Sequence, residues 1–263
     1  KARQHWAYQR VKKPAVPSVK NRGWCVTPID AFVLEKMEAK NMFPSPIADR
    51  ETLIRRAYFD LIGLPPSPRE ITDFVNDTSG DLPAFAKVVD KLLASPHYGE
   101  RWGRYWLDTA RYSDTVGGDR NADNRAGDYR YAYAYTYRDW VIKAFNDDMP
   151  YDKFVMHQLA ADKIPNNDRK NLAALGFITV GERFNNNNDI INDRIDVVTK
   201  GFLAMTVTCA RCHDHMFDPI PTTDYYALHG VFSSITEPSE KPLLNQPDPK
   251  MLKEFEEKVS TIE

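Results

Sequence analysis

The chain has 263 residues, enough for one large domain or two small ones with a sizeable buried core. A formal net charge of −2 and a pI near 6.4 give no bulk electrostatic case for nucleic acid or an anionic membrane. No apolar run approaches the roughly 20 residues of a membrane span, and three cysteines cannot build a disulfide framework.

From the N-terminus, "KARQHWAYQR" lacks the apolar centre of a secretory signal, which leaves a cytoplasmic protein, a processed secreted form or an internal piece open. Residues 1 to 28 are basic and proline-containing and read as an extended arm, with Cys25 alone as a buried or half-buried thiol. "PIDAFVLEKMEAK" puts Ile29, Phe32, Val33 and Met37 on one helical face. "ADRETLIRRAYFDLIGLPP" keeps a helical period from Leu53 to Ile62. Asp49 is placed to cap it, and Gly63, Pro65 and Pro66 to end it. "SPREITDFV" spells a capping box with Ser67 at the cap, Pro68 first and Glu70 third. Amphipathic "LPAFAKVVDKLLA" follows, and Ser95-Pro96 restart a helix through "HYGERWGRYWLDTARYSD".

Residues 114 to 137 are rich in Gly, Asp and Asn and then in alternating tyrosine: a long surface loop, ending in a short strand at "YRYAYAYTY". Its aromatics fit either a carbohydrate-binding surface or a cover for the core. Asp114, Asp119, Asn121, Asp123 and Asp128 raise calcium, but the loop lacks the sixth-position glycine and twelfth-position glutamate of an EF-hand, so a solvated loop is favoured. Helices resume at "RDWVIKAFND", "YDKFVMHQLAAD" and "RKNLAALGFIT". In the longest, Ile191, Ile195, Val198, Phe202, Met205 and Cys209 recur at spacings of four and three. "TTDYYALHGVFSS" and, after a proline-bearing linker, "KMLKEFEEKVSTIE" complete a mainly α pattern. One domain over residues 1–236 is expected, with residues 237–263 a linker and the start of a helix leading to a further part.

The chemistry concentrates in "MTVTCARCHDHMFDPIP". Cys209, Cys212 and His213 form the C-x-x-C-H pattern of covalent c-type haem attachment. At a helix end, residues three and four apart face one way. Two thiols can then add to the two vinyl groups while the imidazole reaches the iron. A zinc site of Cys209, Cys212, His213 and His215 is the alternative, although four ligands within seven residues strain a tetrahedron. A redox C-x-x-C expects a preceding strand, and here a helix precedes. His215 cannot pass round the porphyrin edge, so it sits beside the proximal face or at a propionate. For the second axial position the candidates are His97, His157, His229, His5 and the methionines. His97 opens a helix with Arg101 one turn on, a base and a cation of the kind peroxide chemistry uses.

"SPHYGERWGRYWLDTARYSDT", "YRDWVIKAFNDDMPYDKFV", "LAAD", "TCARCHDHMFDPIPTTDYYAL", "HWAYQ", "TPIDAFVLEKM" and "RRAYFDLIGLPPSPREI" together resemble the planctomycete-type cytochrome c domain, the second of two kinds in large secreted proteins of that bacterial group. The resemblance covers nearly all of residues 5 to 235. It implies a multi-helix domain with long irregular loops around one covalent haem c. Cys209, Cys212 and His213 become the attachment and proximal residues, and His97, Arg101, Asp108, Arg111, His215 and Asp218 the pocket candidates. His157 stands where a charged surface residue is expected, which lowers it as a ligand. A long helical linker and a further large domain usually follow in such proteins. Attachment of c-type haem outside the bacterial cytoplasm implies a periplasmic, secreted or cell-surface location. The leading function is electron transfer to or from the chain's own C-terminal part or a separate redox partner. Peroxidase-like oxidoreductase catalysis through His97 and Arg101, and a haem-stapled structural or polysaccharide-binding module, are the alternatives.

Overall fold

A computed structural model describes residues 4–115, 131, 133–181, 186–237, 244 and 248–260. The fold is mainly α. The described residues form α1 (Pro28–Ala39), α2 (Arg50–Leu61), α3 (Pro68–Val75), α4 (Asp81–Leu93), α5 (Pro96–Thr109), α6 (Ala134–Asn146), α7 (Tyr151–Ala160), α8 (Asn187–Leu203), α9 (Thr222–Ser233) and α10 (Pro249–Ser260). A 3-10 stretch at Arg169–Ile178 takes the place of the helix expected there, and a short one at Thr208–Arg211 carries the cysteine motif.

Local capping chemistry sets most of the boundaries. Asp49 accepts from the Thr52 amide at 2.7 Å to start α2, and Gly63, at φ 72°, ends it in the left-handed region that favours glycine. Ser67 and Glu70 close the expected capping box at α3. Glu70 also receives Lys91 Nζ at 2.7 Å and borders Tyr58, tying α2, α3 and α4 together. These bonds, that of Lys91 first, hold its carboxyl down to about 2, below the ordinary 4.5. Because the folded value is the lower one, this stabilisation is complete above about pH 4.5 and is lost as pH falls towards 2. Glu70→Gln is therefore expected to cost about 1 kcal/mol near neutral pH, the scale of a lost cap. The difference from the parent should close as thermal melts are taken down through that window.

Two apolar clusters hold the chain. Ile54, Ala57, Tyr58, Phe74, Ala84 and Leu92 join α2, α3 and α4. The larger cluster runs from Leu107 on α5 through Tyr137, Trp140, Val141, Phe154, Phe177, Ile191 and Ile195 to Tyr225 and Phe232 on α9. At its centre Trp106 stacks on Phe177 at 5.6 Å and meets Phe154 edge-on at 5.0 Å. The buried Gln158 carbonyl accepts from both Trp106 Nε1 and Tyr137 Oη at 2.7 Å, so the polar groups in this core are paired.

Three expectations are corrected. The tyrosine-rich segment is no strand where it is described. From Ala134 it is α6, and Tyr137, Trp140, Val141 and Ala144 are buried at helical spacing. The residues between the tyrosines are Arg130, Ala132, Ala134 and Thr136, a face too weakly polar to fix a strand, so the 3.6-residue period of the following residues governs. Tyr133 and Tyr135 stay exposed while Tyr137 and Trp140 enter the core.

On α1 the predicted apolar face points outward, with Ile29 71% exposed, and Ala31 and Leu34 are buried instead. The cause is the arm. The Lys20 and Asn21 amides donate to the Glu38 carboxylate at 3.0 Å, and Glu38 shares a face with Ala31 and Leu34. The stripe of α8 stops early as well. Ile191, Ile195, Val198 and Phe202 pack as expected, but Ala204 takes φ 53° and the helix ends before Met205 and Cys209.

Candidate functional site

Beyond Ala204 the chain turns back along α8 and lays the motif across it. Val207 and Ala210 are buried, 4% and 0% exposed, and seat the Thr208–Arg211 turn. Its two ends are fastened to one helix face. Thr208 Oγ1 donates to Asp196 at 2.9 Å, and Arg211 donates to Asp189 at 2.8 Å. Between these two carboxylates Asp193 accepts from Arg111 at 2.6 Å, at the end of α5. Asp189, Asp193 and Asp196 follow each other by four and three residues, so they form one acidic ridge along α8. From the far side Tyr226 Oη donates to the Arg211 carbonyl at 3.0 Å, fixing α9 to the turn. This anchoring leaves the Cys209 and Cys212 thiols free and exposed.

The two histidines that follow are held in opposite ways. His213 is exposed, and its Nδ1 lies 2.7 Å from the Asp214 carbonyl. A carbonyl only accepts, so Nδ1 carries the proton and the Nε2 lone pair faces outward. Metal-bound imidazoles are held this way. The His215 side chain is 7% exposed. Its Nδ1 accepts the backbone amides of Asp218 at 2.9 Å and Phe217 at 3.4 Å. Nδ1 is the acceptor here, so Nε2 carries the proton when the ring is neutral. His215 thereby knots the loop that its own amide closes on the Ile220 carbonyl at 2.9 Å. Asp214 continues the scaffold by accepting the Thr222 amide at 2.9 Å where α9 begins.

A second segment reaches this loop from 210 residues away. Tyr8 Oη donates to Asp218 at 2.5 Å, and that carboxylate raises the Tyr8 phenol above its ordinary value. In the loop that continues from the exposed thiols, Met216 and Phe217 are 76% and 81% exposed, and Trp6 on the tethered segment is 80% exposed. Apolar side chains this open, in a loop that follows two thiols and an outward imidazole and on the segment tethered to it, suit an apolar ligand.

The other predicted residues lie elsewhere. His97 is exposed on the first turn of α5, with Nδ1 on Glu100 at 2.7 Å. Arg101 runs over Gly63 and the Tyr105 ring, the latter at 5.1 Å, and its Nε is buried without a partner. Asp108 pairs with Arg104. The part of α5 that approaches α8 is its other end, where Thr109 nears Gly201, about 18 Å along the helix from His97. The structure therefore does not bring His97 and Arg101 to the cysteine motif. His157 packs on Trp140, and His229 lies against Tyr225 and Tyr226 on α9. Arg111 does join the site through Asp193, with its Nε and a second nitrogen buried and unpartnered.

Among the described residues no three His, Cys, Asp or Glu side chains converge as metal ligands, which removes a preformed four-ligand zinc site. Asp119, Asn121, Asp123 and Asp128 of the calcium expectation lie outside the described residues. Asp114 accepts from Tyr112 Oη at 2.6 Å. The ridge on α8 and the Tyr8 tether were missed from the sequence. The ridge had a readable spacing; the tether had none.

No helix among the described residues is long and apolar enough to cross a membrane. No curated protein and no solved structure matches the chain. The model of one family does match, over residues 28–237, from the first residue of α1 through α9 and the whole motif. The chain accordingly belongs to the family described as PSCyt2, a protein of unknown function (DUF1549).

Proposed function

We propose that this chain is a c-type haem domain of the planctomycete cytochrome kind. One haem is attached through Cys209 and Cys212, and His213 Nε2 is the proximal ligand. The observation that carries this reading is the opposed bonding of the two histidines. Nδ1 of His213 gives its proton to a carbonyl and leaves Nε2 to a metal, while His215 spends Nδ1 on backbone amides. The donor set fits the group: two exposed thiols three residues apart, an outward imidazole beside the second, and open apolar side chains at Met216 and Phe217.

When bound, the haem would supply a one-electron redox centre. The chain's own residues hold the attachment turn from α8 and α9 and fix the His213 ring, and Met216 and Phe217 would offer the haem open apolar side chains in the same loop. Electron exchange with a further domain or a separate carrier is the function this arrangement supports best. A peroxide-cleaving site would need a base and a cation over the iron, and His97 and Arg101 stand elsewhere. Covalent haem attachment would place the protein outside the cytoplasm.

The test is expression of the full chain with bacterial c-type maturation machinery, followed by a pyridine haemochrome assay and intact mass. The expected result is one covalently bound haem per chain, absent from the Cys209→Ala, Cys212→Ala double variant. A wild-type chain of bare mass, from cells that mature a control cytochrome, would refute the reading.

A further inference from the structure

The haem reading leaves the second axial position unassigned, and the N-terminal arm points to its ligand. We propose that the arm is a strap across the motif and that His5 supplies the second axial imidazole, opposite His213. This rests on the proposed function and adds a residue to it.

The tether comes first. Tyr8 Oη is 2.5 Å from Asp218, which lies in the loop that His215 knots five residues beyond His213. Nothing in residues 4–10 is buried, so the arm has no core of its own and is held by surface contacts, this one among them. The turn Trp6–Tyr8 then sets His5 beside it, its ring 6.2 Å from the Tyr8 ring and 5.5 Å from the Trp6 ring. Tyr8 thus touches the motif loop, where Met216 and Phe217 are open, and brings an 80% exposed Trp6 and an exposed His5 on the same short turn. A planar apolar group gripped between the loop and the arm would cover all three large apolar side chains at once.

Elimination comes second. The chain has six histidines. His213 is the proximal ligand, and His215 is sealed in its loop. His97 belongs to the far end of α5 with Glu100, and His157 packs on Trp140 beside Asn167. His229 is half-buried on α9 with its ring packed against those of Tyr225 and Tyr226. His5 is exposed, on a separate segment, and bound by one long contact, its Nδ1 accepting the Ala7 amide at 3.3 Å. Ligation through Nε2 moves the ring proton to Nδ1 and gives up that contact, a bond of the weakest class.

The matured full chain tests this by visible and electron paramagnetic resonance spectra. A low-spin, bis-imidazole spectrum is expected for the wild type. His5→Ala should lose it, giving high-spin iron that binds added cyanide readily, and free imidazole should restore the low-spin state. Tyr8→Phe, which removes only the tether, should give a mixture of both spin states. A low-spin spectrum unchanged in His5→Ala would overturn the assignment, as would a high-spin wild type or a sulfur-to-iron band marking methionine. Loss of haem from the wild type itself registers in the haemochrome assay and refutes the parent reading instead.

Discussion

His213→Ala is expected to keep haem bound through Cys209 and Cys212 while abolishing the spectrum of the wild type, and His215→Ala is expected to keep that spectrum while lowering the melting temperature. The two residues are separated by one position in the same short loop, so crude proximity to the thiols predicts similar losses. Their hydrogen bonds predict otherwise. His213 offers Nε2 outward because Nδ1 is committed to the Asp214 carbonyl at 2.7 Å, whereas His215 spends its Nδ1 on backbone amides. Its removal should leave weakly ligated iron, with the Soret band shifted and the reduction potential displaced, but the fold should melt near the wild-type temperature, because the ring is exposed. Alanine at 215 instead strands the Asp218 and Phe217 amides in a loop whose knot was the ring. The Asp218 bond is part-buried and the longer Phe217 bond exposed, so their loss costs about 1 kcal/mol and a drop of a few degrees in the melting temperature should follow. Far-UV circular dichroism melts and visible spectra of both variants decide the matter. Loss of the haem spectrum in His215→Ala with its retention in His213→Ala would reverse the assignment.

How much of this was legible in the chain alone follows from the range of the interactions involved. The caps at Asp49, Ser67 and Ser95 are bonds between residues two or three apart, and they were read correctly because nothing distant competes with them. The orientation of α1 was not legible. Its pattern offered Ile29, Phe32, Val33 and Met37, but the face that is covered is chosen by the arm docking on Glu38 from 17 and 18 residues away. The end of α8 was hidden because Ala204, with neither glycine nor proline to announce it, adopts the left-handed conformation. At the site, the spacing of Cys209, Cys212 and His213 was plain. Which histidine offers a lone pair was not, since that depends on which backbone groups the loop brings to each ring. His97 and Arg101 do share a face of α5, as their spacing requires, but the end of the helix that meets α8 is fixed by the packing of Trp106 on Phe177 and Phe202.

That packing depends on the crossing of α5 and α6, and the crossing gives the second large prediction: Gly99→Ala should destabilise the protein by about 3 kcal/mol, while Gly103→Ala should change it by less than about 1. Both glycines are buried on the α5 face that meets α6, one turn apart. A Cβ at position 99 would lie 2.3 Å from the Ile142 carbonyl oxygen and 2.7 Å from the Asn146 side chain. Neither can step aside cheaply. The first is backbone, and the second already accepts the Gly99 amide at 2.7 Å and donates to the Pro96 carbonyl at 3.1 Å. Alanine must therefore part the helices or break that bracket, and either cost exceeds the ~1 kcal/mol that alanine gains over glycine inside a helix. At position 103 the nearest atom would be Ile142 Cγ1 at 3.3 Å, the movable end of a side chain, so the helix-propensity gain offsets most of the crowding. Because α5 carries Trp106 and Arg111 to α8, and α8 carries the motif, the lower melting temperature of Gly99→Ala should appear equally in the helical signal and in the haem absorbance. A Gly99→Ala protein melting within a degree of the wild type would mean that the two helices do not cross this closely, and the support drawn here beneath the motif would fall with them.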